Sequence, residues 1–360
     1  MLHYRPTIIA KLGERRALES LEGHYHDRFT PIMVIPPRDW DYEKNIFSKS
    51  TTQHVQKLPE ALSKARGNRT AYIDSRHLDE PDALINGEHL LSWLVSEALN
   101  CGTTLVPVAK PDSTSGTVAA VASIARKHGN GAAIRVELTG SASITSADFL
   151  QVFGALGLPA GSIDLILDLG SDVASDLALK AVLPDVVSAT KSRKWKSITV
   201  AGAGFPKEAP QGRGVHEVPR ADWEFLKQLN SALAAGGIQA VDFSDYAVAG
   251  DAPGLDIDPK FLTISSTFRY TNGNYWLFAR GDLYKASGGR GLGAAAVPGT
   301  IDALRKYVSY QAQPKSQVHD WFDGVVNGTQ SGGNPTVWRR WATYHHIRTV
   351  LDQLSSRSGS

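Results

Sequence analysis

Seven charged residues stand at or near the ends of segments that have the composition of β-strands. They are Lys11, Asp74, Arg76, Arg135, Glu137, Asp168 and Asp245. Carboxylates gathered in one pocket bind a divalent cation or act as general acid and base, whereas lysine and arginine hold anions such as phosphate. The sequence therefore offers two chemistries for one site: catalysis by Asp74, Glu137, Asp168 and Asp245, or anion binding by Lys11, Arg76 and Arg135.

The segments that would position these residues are eight short β-rich runs, each followed by a stretch with helical periodicity. The runs are Thr7–Lys11, Phe29–Pro36, Thr70–Arg76, Thr103–Lys110, Ala132–Leu138, Ile163–Gly170, Ser197–Gly202 and Ala240–Tyr246. Eight such units in roughly 250 residues are typical of a (β/α)8 barrel, whose sites lie at the C-terminal ends of the strands. The fold class predicted is therefore α/β, with a TIM-type barrel.

Strand alternation predicts which of the charged side chains meet. In the run over residues 132–138, two aliphatic residues share one face, and Arg135 and Glu137 share the other. Because helices cover the outside of such a barrel, the charged pair should point toward its axis. The same reasoning brings Asp74 and Asp168 into one pocket with them. The alternative is that these charges only pair with one another and form a polar barrel mouth without further function.

The remainder of the chain differs in composition from the barrel segment. We expect a β-hairpin around Asn272-Gly273, because this dipeptide favours a tight hairpin turn. The predicted domains are a barrel over residues 1–250, a hairpin and helical extension packed on it over 251–354, and a disordered tail over 355–360.

The last predicted helix carries a large apolar stripe and two adjacent histidines. The stripe should dock this helix onto the protein and consists of Tyr344, Ile347, Leu351 and Leu354. Adjacent helical residues such as His345 and His346 diverge by about 100°, so they are poorly placed to chelate one metal ion. We expect a structural role for His345.

Composition narrows the class of protein. Hydrophobic residues make up 42% of the chain, charged residues 21%, and the formal net charge is only +2, so no overall basic field indicates nucleic-acid or membrane binding. The single cysteine, Cys101, excludes an intramolecular disulfide and suits a reducing compartment. The charged N-terminal residues lack the apolar core of a signal peptide. We therefore expect a cytoplasmic protein that does not span a membrane.

Several short motifs together resemble the beta protein family of phages and prophage-like islands. They begin with Tyr4-Arg5-Pro6 and Lys11-x-Gly13-Glu14, continue with Ile73-Asp74, Leu167-Asp168 and Asp245-Tyr246, and end with Arg269-Tyr270, Arg280-Gly281 and the segment from Trp338 to His345-His346. The resemblance implies a barrel-like α/β fold and a setting on mobile elements, where phage-conflict systems are common. One departure is Val34, which stands where the family has an acidic residue before Pro36, so a carboxylate is missing from this position.

The leading hypothesis is a phage-associated or anti-phage defence protein with an anion-binding pocket at the strand ends. It would act as a ligand sensor or as a docking partner for a companion protein. The alternative is a hydrolase or phosphodiesterase acting on a nucleotide or nucleic acid, which would take a divalent cation such as Mg²⁺. No Gly-x-Ser-x-Gly elbow, Walker loop, Rossmann fingerprint or His-Glu-x-x-His motif occurs, so the sequence leaves open whether the protein is an enzyme.

Overall fold

The computed structural model describes residues 2–138, 143–170, 173, 176–206, 210–249, 258–286, 289–307, 310 and 314–357. The chain forms two compact units. The first contains Met1–Lys11, Glu22–Gly204 and Ala221–Pro253, and the second contains Leu12–Leu21, Phe205–Arg220 and Gly254–Ser360. The predicted boundary at residue 250 and the end of the predicted tail, 358–360, lie outside the described residues.

The strands of the described residues are β1 (Thr7–Ile9), β2 (Ile32–Val34), β3 (Trp40–Asp41), β4 (Ile46–Phe47), β5 (Ala71–Asp74), β6 (Leu84–Ile85), β7 (Glu88–His89), β8 (Leu105–Ala109), β9 (Ala132–Glu137), β10 (Ile163–Asp168), β11 (Ser197–Ala201), β12 (Gly214–Pro219), β13 (Asp242–Ser244), β14 (Ile264–Asn272) and β15 (Tyr275–Lys285). Each of the eight predicted runs contains one of these strands, namely β1, β2, β5, β8, β9, β10, β11 and β13. Every one of these strands is shorter than the run that predicted it. For example, β2 stops at Val34, ahead of Pro36 and Pro37, which have no N–H to give to a sheet.

The α-helices are α1 (Leu12–Glu19), α2 (Gly23–His26), α3 (Thr51–Val55), α4 (Leu58–Arg66), α5 (Leu90–Asn100), α6 (Ser115–His128), α7 (Ala147–Leu156), α8 (Asp176–Ser192), α9 (Ala221–Ala235), α10 (Val297–Arg305), α11 (Gln317–Val326) and α12 (Pro335–Arg357), with 3₁₀ turns at Ala160–Ser162, Pro259–Phe261 and Gly293–Ala296. Local capping defines several of their ends. The Thr114 side chain accepts from the N–H of Thr117 at the start of α6, and Gly129, at φ 69°, ends it. In the described ranges, no helix has both the length and the apolar character needed to cross a membrane.

Eight strands form one parallel sheet in the first unit, in the order β1-β2-β5-β8-β9-β10-β11-β13. Backbone hydrogen bonds join its two edges: the Arg5 N–H donates to the Phe243 carbonyl at 2.8 Å, and the Thr7 N–H donates to the Asp245 carbonyl at 2.7 Å. The sheet is therefore a nearly closed barrel flanked by helices, and the predicted α/β class with eight parallel strands is confirmed.

Alternate residues of these strands fill the barrel interior. One buried cluster collects side chains from six strands: Ile32, Tyr72, Val106, Val108, Ala133, Ile166 and Ala201. Toward the N-terminal ends of the strands, the buried guanidinium of Arg5 crosses the interior and donates to Tyr72 at 3.2 Å and Thr199 at 3.0 Å. Side chains in phase with these residues at the other end of the strands therefore also point inward.

A second, antiparallel sheet, in the order β12-β15-β14, lies in the second unit. Strands β14 and β15 meet at a turn in which Gly273 has φ 58°, a left-handed conformation that favours glycine. Helix α12 packs against α1 and β14. Helix α1 approaches α12 so closely that a Cβ on Gly13 would lie 2.8 Å from the Thr336 carbonyl oxygen.

The paired histidines of α12 are buried in this unit and bond to β14. His345 donates from Nε2 to the Thr271 carbonyl at 2.8 Å and stacks on Tyr270 with ring centroids 3.9 Å apart. His346 shares a 2.9 Å hydrogen bond with the Thr271 hydroxyl. Burial, supplemented by the charges of neighbouring groups, lowers the pKa of His345 to about 3.

Acid should therefore destabilise the protein at a pH where most carboxylates are still ionised. An unfolded chain protonates His345 below about pH 6.5, whereas the folded chain resists until about pH 3, so stability falls as pH drops through this window. The free energy of unfolding of the wild type, measured with denaturant, should be about 3 kcal/mol lower at pH 4.5 than at pH 7 because of this residue. His345→Gln, which keeps an N–H donor but does not titrate, should reduce the difference. An equal difference in both proteins would show that His345 is not its source.

Candidate functional site

The C-terminal ends of the barrel strands, here called the barrel mouth, surround one buried arginine. Arg135 lies on β9 and is 0% exposed. Its Nε donates to Asp168 Oδ2 at 2.8 Å, and its Nη1 donates to Asp74 Oδ2 at 3.1 Å. Its Nη2 donates to Asp168 and to the hydroxyl of Tyr246. One guanidinium thus joins side chains from β5, from β10 and from the residues after β13.

The two buried aspartates have both of their oxygens engaged. Asp168 Oδ2 also accepts from the Tyr246 hydroxyl at 2.6 Å, and Asp168 Oδ1 accepts from the Gly170 N–H at 3.0 Å. Asp74 Oδ1 accepts from the Arg76 N–H at 2.9 Å. Each aspartate therefore caps the turn that follows its own strand while its second oxygen neutralises Arg135.

The electrostatics of this network determine its protonation states. Burial by itself would raise the pKa of Asp168, but the charge of Arg135 and hydrogen bonds from Tyr246 and Arg135 outweigh it, so the pKa is lowered. Burial disfavours the charged form of Arg135, yet the negative charges of Asp168 and Asp74 and the hydrogen bond to Asp168 leave its pKa raised. Burial raises the pKa of Tyr246, so its phenol stays protonated and can donate to Asp168.

Further out at the mouth, Arg76 has donors for which the described residues offer no acceptor. Its side chain is 6% exposed, and Nη1 donates to the Tyr246 hydroxyl at 3.3 Å and lies 3.8 Å from both Asp168 Oδ2 and Glu137 Oε1. Its Nε and Nη2 are buried and have no hydrogen-bond partner among the described residues. Nε is 4.0 Å from Asp74 Oδ2, too far for a hydrogen bond.

Lys110, Glu137 and His77 complete the surroundings of Arg76. Lys110 Nζ lies 3.3 Å from Glu137 Oε1, and the Glu137 side chain is 42% exposed. Within the part of the chain that the structure describes, His77 Nε2 is also buried without a hydrogen-bond partner. Burial, then the positive charge of Arg76 and, more weakly, those of Arg135 and Lys110, lower the pKa of His77 to about 4. His77 is therefore neutral at pH 7 and lies in the field of the mouth cations.

Five of the seven residues singled out in the sequence meet in this network: Asp74, Arg76, Arg135, Glu137 and Asp168. Lys11 follows β1 and is exposed. Asp245 directly follows β13, in phase with Phe243 and out of phase with Tyr246. Its carboxylate accepts from the Tyr4 hydroxyl at 2.7 Å and the Ala247 N–H at 3.0 Å, on the side where Tyr4 stacks on Phe243.

Tyr246 and Lys110 also belong to the site, although the sequence analysis did not single them out. Both had a usable signal. Lys110 is in phase with the interior residues Val106 and Val108 on β8, and Tyr246 is in phase with Ser244, which bonds to Thr7 across the barrel seam. Alternation counted from the apolar residue Phe243 directs attention to Asp245 instead.

The donor set bears on metal binding as well. Among the described residues, no group of three or more histidine, cysteine, aspartate or glutamate side chains is placed to hold a metal ion. Asp74 and Asp168, which the sequence suggested as ligands, already accept from arginine and from backbone N–H groups. A cation there would have to displace Arg135, whose charge is buried beside them.

Comparison with known proteins adds a family relationship. A family model described as Beta protein matches residues 4–352 of the chain. No curated protein matches the chain.

Proposed function

The chain belongs to the Beta protein family, and we propose that its barrel mouth binds a small oxyanion such as phosphate. Binding would make the protein a ligand sensor or a docking module for a companion protein. The phage-associated or host-defence setting is part of this proposal and rests on the resemblance to phage and prophage proteins.

The observation that carries the proposal is the buried guanidinium of Arg76, with Nε and Nη2 unpartnered among the described residues. A buried donor without an acceptor costs about 1–3 kcal/mol, more when it is charged. An oxyanion such as phosphate offers several acceptor oxygens, and two of them can accept in parallel from one edge of a planar guanidinium. His77 Nε2 and Lys110 would add a neutral donor and a second positive charge.

The half-exposed carboxylate of Glu137 already occupies a position that an anion would take. It lies 3.8 Å from Arg76 Nη1 and 3.3 Å from Lys110 Nζ, longer than close charge-assisted hydrogen bonds. Because Glu137 is partly in solvent, it can turn outward without leaving a buried charge unpaired. We therefore infer that Glu137 turns outward when a ligand binds to Arg76 and Lys110.

The second candidate function, metal-dependent hydrolysis of a nucleotide or nucleic acid, finds less support. Its acids would be Asp74, Glu137, Asp168 and Asp245. Two of these neutralise Arg135, and Asp245 accepts a hydrogen bond from the Tyr4 hydroxyl. A general base needs an oxygen within hydrogen-bond reach of its substrate, and the engaged aspartates offer none without rearrangement.

Calorimetric titration with inorganic phosphate tests the proposal. Arg76→Gln should weaken binding at least about tenfold, because charge-assisted hydrogen bonds contribute roughly 1.5–3 kcal/mol each. The matched control is Arg193→Gln, since Arg193 precedes β11 at the opposite end of the barrel and stacks on Phe153. Equal affinity in the wild type and Arg76→Gln would contradict the proposal. Mg²⁺ binding that Asp168→Asn abolishes would favour the hydrolase instead.

A further inference from the structure

A small aromatic hairpin stands beside the barrel mouth and is not explained by anion binding. Strands β3 and β4 pair in the connection that follows β2. They carry Trp40, 37% exposed, and Phe47, 36% exposed, whose ring centroids are 4.9 Å apart in an edge-on arrangement. Ile46 beside them is 54% exposed. Adjacent exposed apolar side chains form a contiguous patch, and such patches mark candidate binding surfaces.

The hairpin is held in place by Arg38, which connects it to the loop of the anion site. The Arg38 guanidinium lies 3.9 Å from the ring centroid of Phe47 and donates from Nη1 to the Lys49 carbonyl at 3.3 Å. The same guanidinium donates two hydrogen bonds to the Asp79 carboxylate, one from Nε to Oδ1 at 3.0 Å and one from Nη2 to Oδ2. The aromatic surface is thus tied through one side chain to the connection after β5.

Asp79 is only three residues beyond Arg76 in that connection. Three residues span at most about 10 Å, and a turn closed by a 2.9 Å bond from the Leu78 N–H to the Ser75 carbonyl shortens the path. The aromatic surface and the donors of Arg76 and His77 that have no partner among the described residues therefore belong to neighbouring loops on the same end of the barrel. A ligand with a planar ring attached to a phosphate would match both features.

We propose that the ligand of the barrel mouth is a nucleoside phosphate, whose phosphate contacts Arg76 and His77 and whose base stacks on Trp40. This inference rests on the proposed anion binding and adds the chemical class of the ligand. Stacking of a base on an aromatic side chain tolerates all four bases. The geometry therefore assigns a nucleotide and leaves the identity of the base open.

The experiment compares three probes by calorimetry: inorganic phosphate, ribose 5-phosphate and AMP. AMP should bind the wild type about 5- to 150-fold more tightly than ribose 5-phosphate, the range expected for one stacked base. Trp40→Ala should remove this advantage and leave phosphate affinity unchanged, while Trp40→Phe should retain part of it. Phe261→Ala, at a residue 66% exposed in the second unit, is the matched aromatic control.

The outcomes separate this inference from the proposed function. If inorganic phosphate does not bind the wild type, anion binding itself fails. If phosphate binds but AMP is no tighter than ribose 5-phosphate, the nucleotide assignment is wrong and the hairpin serves another partner, such as a protein. A Trp40→Ala variant that loses phosphate and AMP equally would mean that Trp40 only supports the loop structure, which also overturns the inference.

Discussion

Truncation of the chain after Asn334, which removes helix α12, is expected to unfold the second unit. Helix α12 buries the whole stripe that its periodicity predicted: Tyr344 and Ile347 are 0% exposed, Leu351 2% and Leu354 5%. Each such side chain contributes roughly 1.5–3 kcal/mol when buried, so four contribute about 6–12 kcal/mol. Domains have a total stability of only about 5–15 kcal/mol. Removing the helix also uncovers the surfaces of α1 and β14.

The loss should appear in the near-ultraviolet circular dichroism of the buried aromatic groups and in the thermal transition. Ile347→Ala gives a graded version of the same test, with an expected loss of about 2–5 kcal/mol in the free energy of unfolding. Thr336→Ala, at an exposed position of the same helix, is the control and should change stability by less than about 0.5 kcal/mol. An unchanged melting temperature in the shortened chain would show instead that the helix is a detachable arm.

The apolar stripe of α12 could be predicted from the sequence, because a helix that faces a core repeats its large residues at regular spacing. The surfaces that cover this stripe could not be predicted, since they come from segments that are distant along the chain. Leu12–Leu21 and Phe205–Arg220 cluster with the second unit although they are separated from it along the chain. The need for glycine at position 13, where a Cβ would approach Thr336, depends on the same long-range packing.

The barrel strands were predictable because buried parallel strands are short β-branched runs with abrupt ends. Within them, the inward direction of Arg135 followed from alternation, since a charged side chain on the helix-covered face would be unpaired. Alternation predicts directions correctly only when one residue of the strand is known to point inward or outward. On β13, Phe243 faces outward with Tyr4, so the interior position belongs to Tyr246 and not to Asp245. That Nε and Nη2 of Arg76 find no acceptor in the described part of the chain depends on side-chain positions, which residue spacing does not encode.

Replacing Arg135 by methionine is expected to destabilise the first unit by about 3–5 kcal/mol at pH 7. Methionine fills a similar volume, so the main effect is electrostatic: Asp74 and Asp168 stay buried after their common partner is gone. Arg126→Met, at an exposed position of α6, removes the same charge without uncovering a buried carboxylate, and its effect should be small. Chemical denaturation followed by tryptophan fluorescence measures both variants.

The pH dependence of this variant distinguishes charge from packing. In the wild type the pKa of Asp168 is lowered, so its contribution to stability is complete above about pH 5 and is lost in more acidic solution. In Arg135→Met, Asp168 stays buried but loses its hydrogen-bonded cation and keeps only the more distant Arg76, so its pKa rises and protonation relieves the strain. The variant should therefore lose less stability than the wild type between pH 7 and pH 5, or even gain some.

Asp74→Asn and Asp168→Asn added to Arg135→Met should restore part of the loss at pH 7. If the pH profiles of the wild type and the single variant are parallel, Arg135 stabilises the barrel by packing and not by its charge.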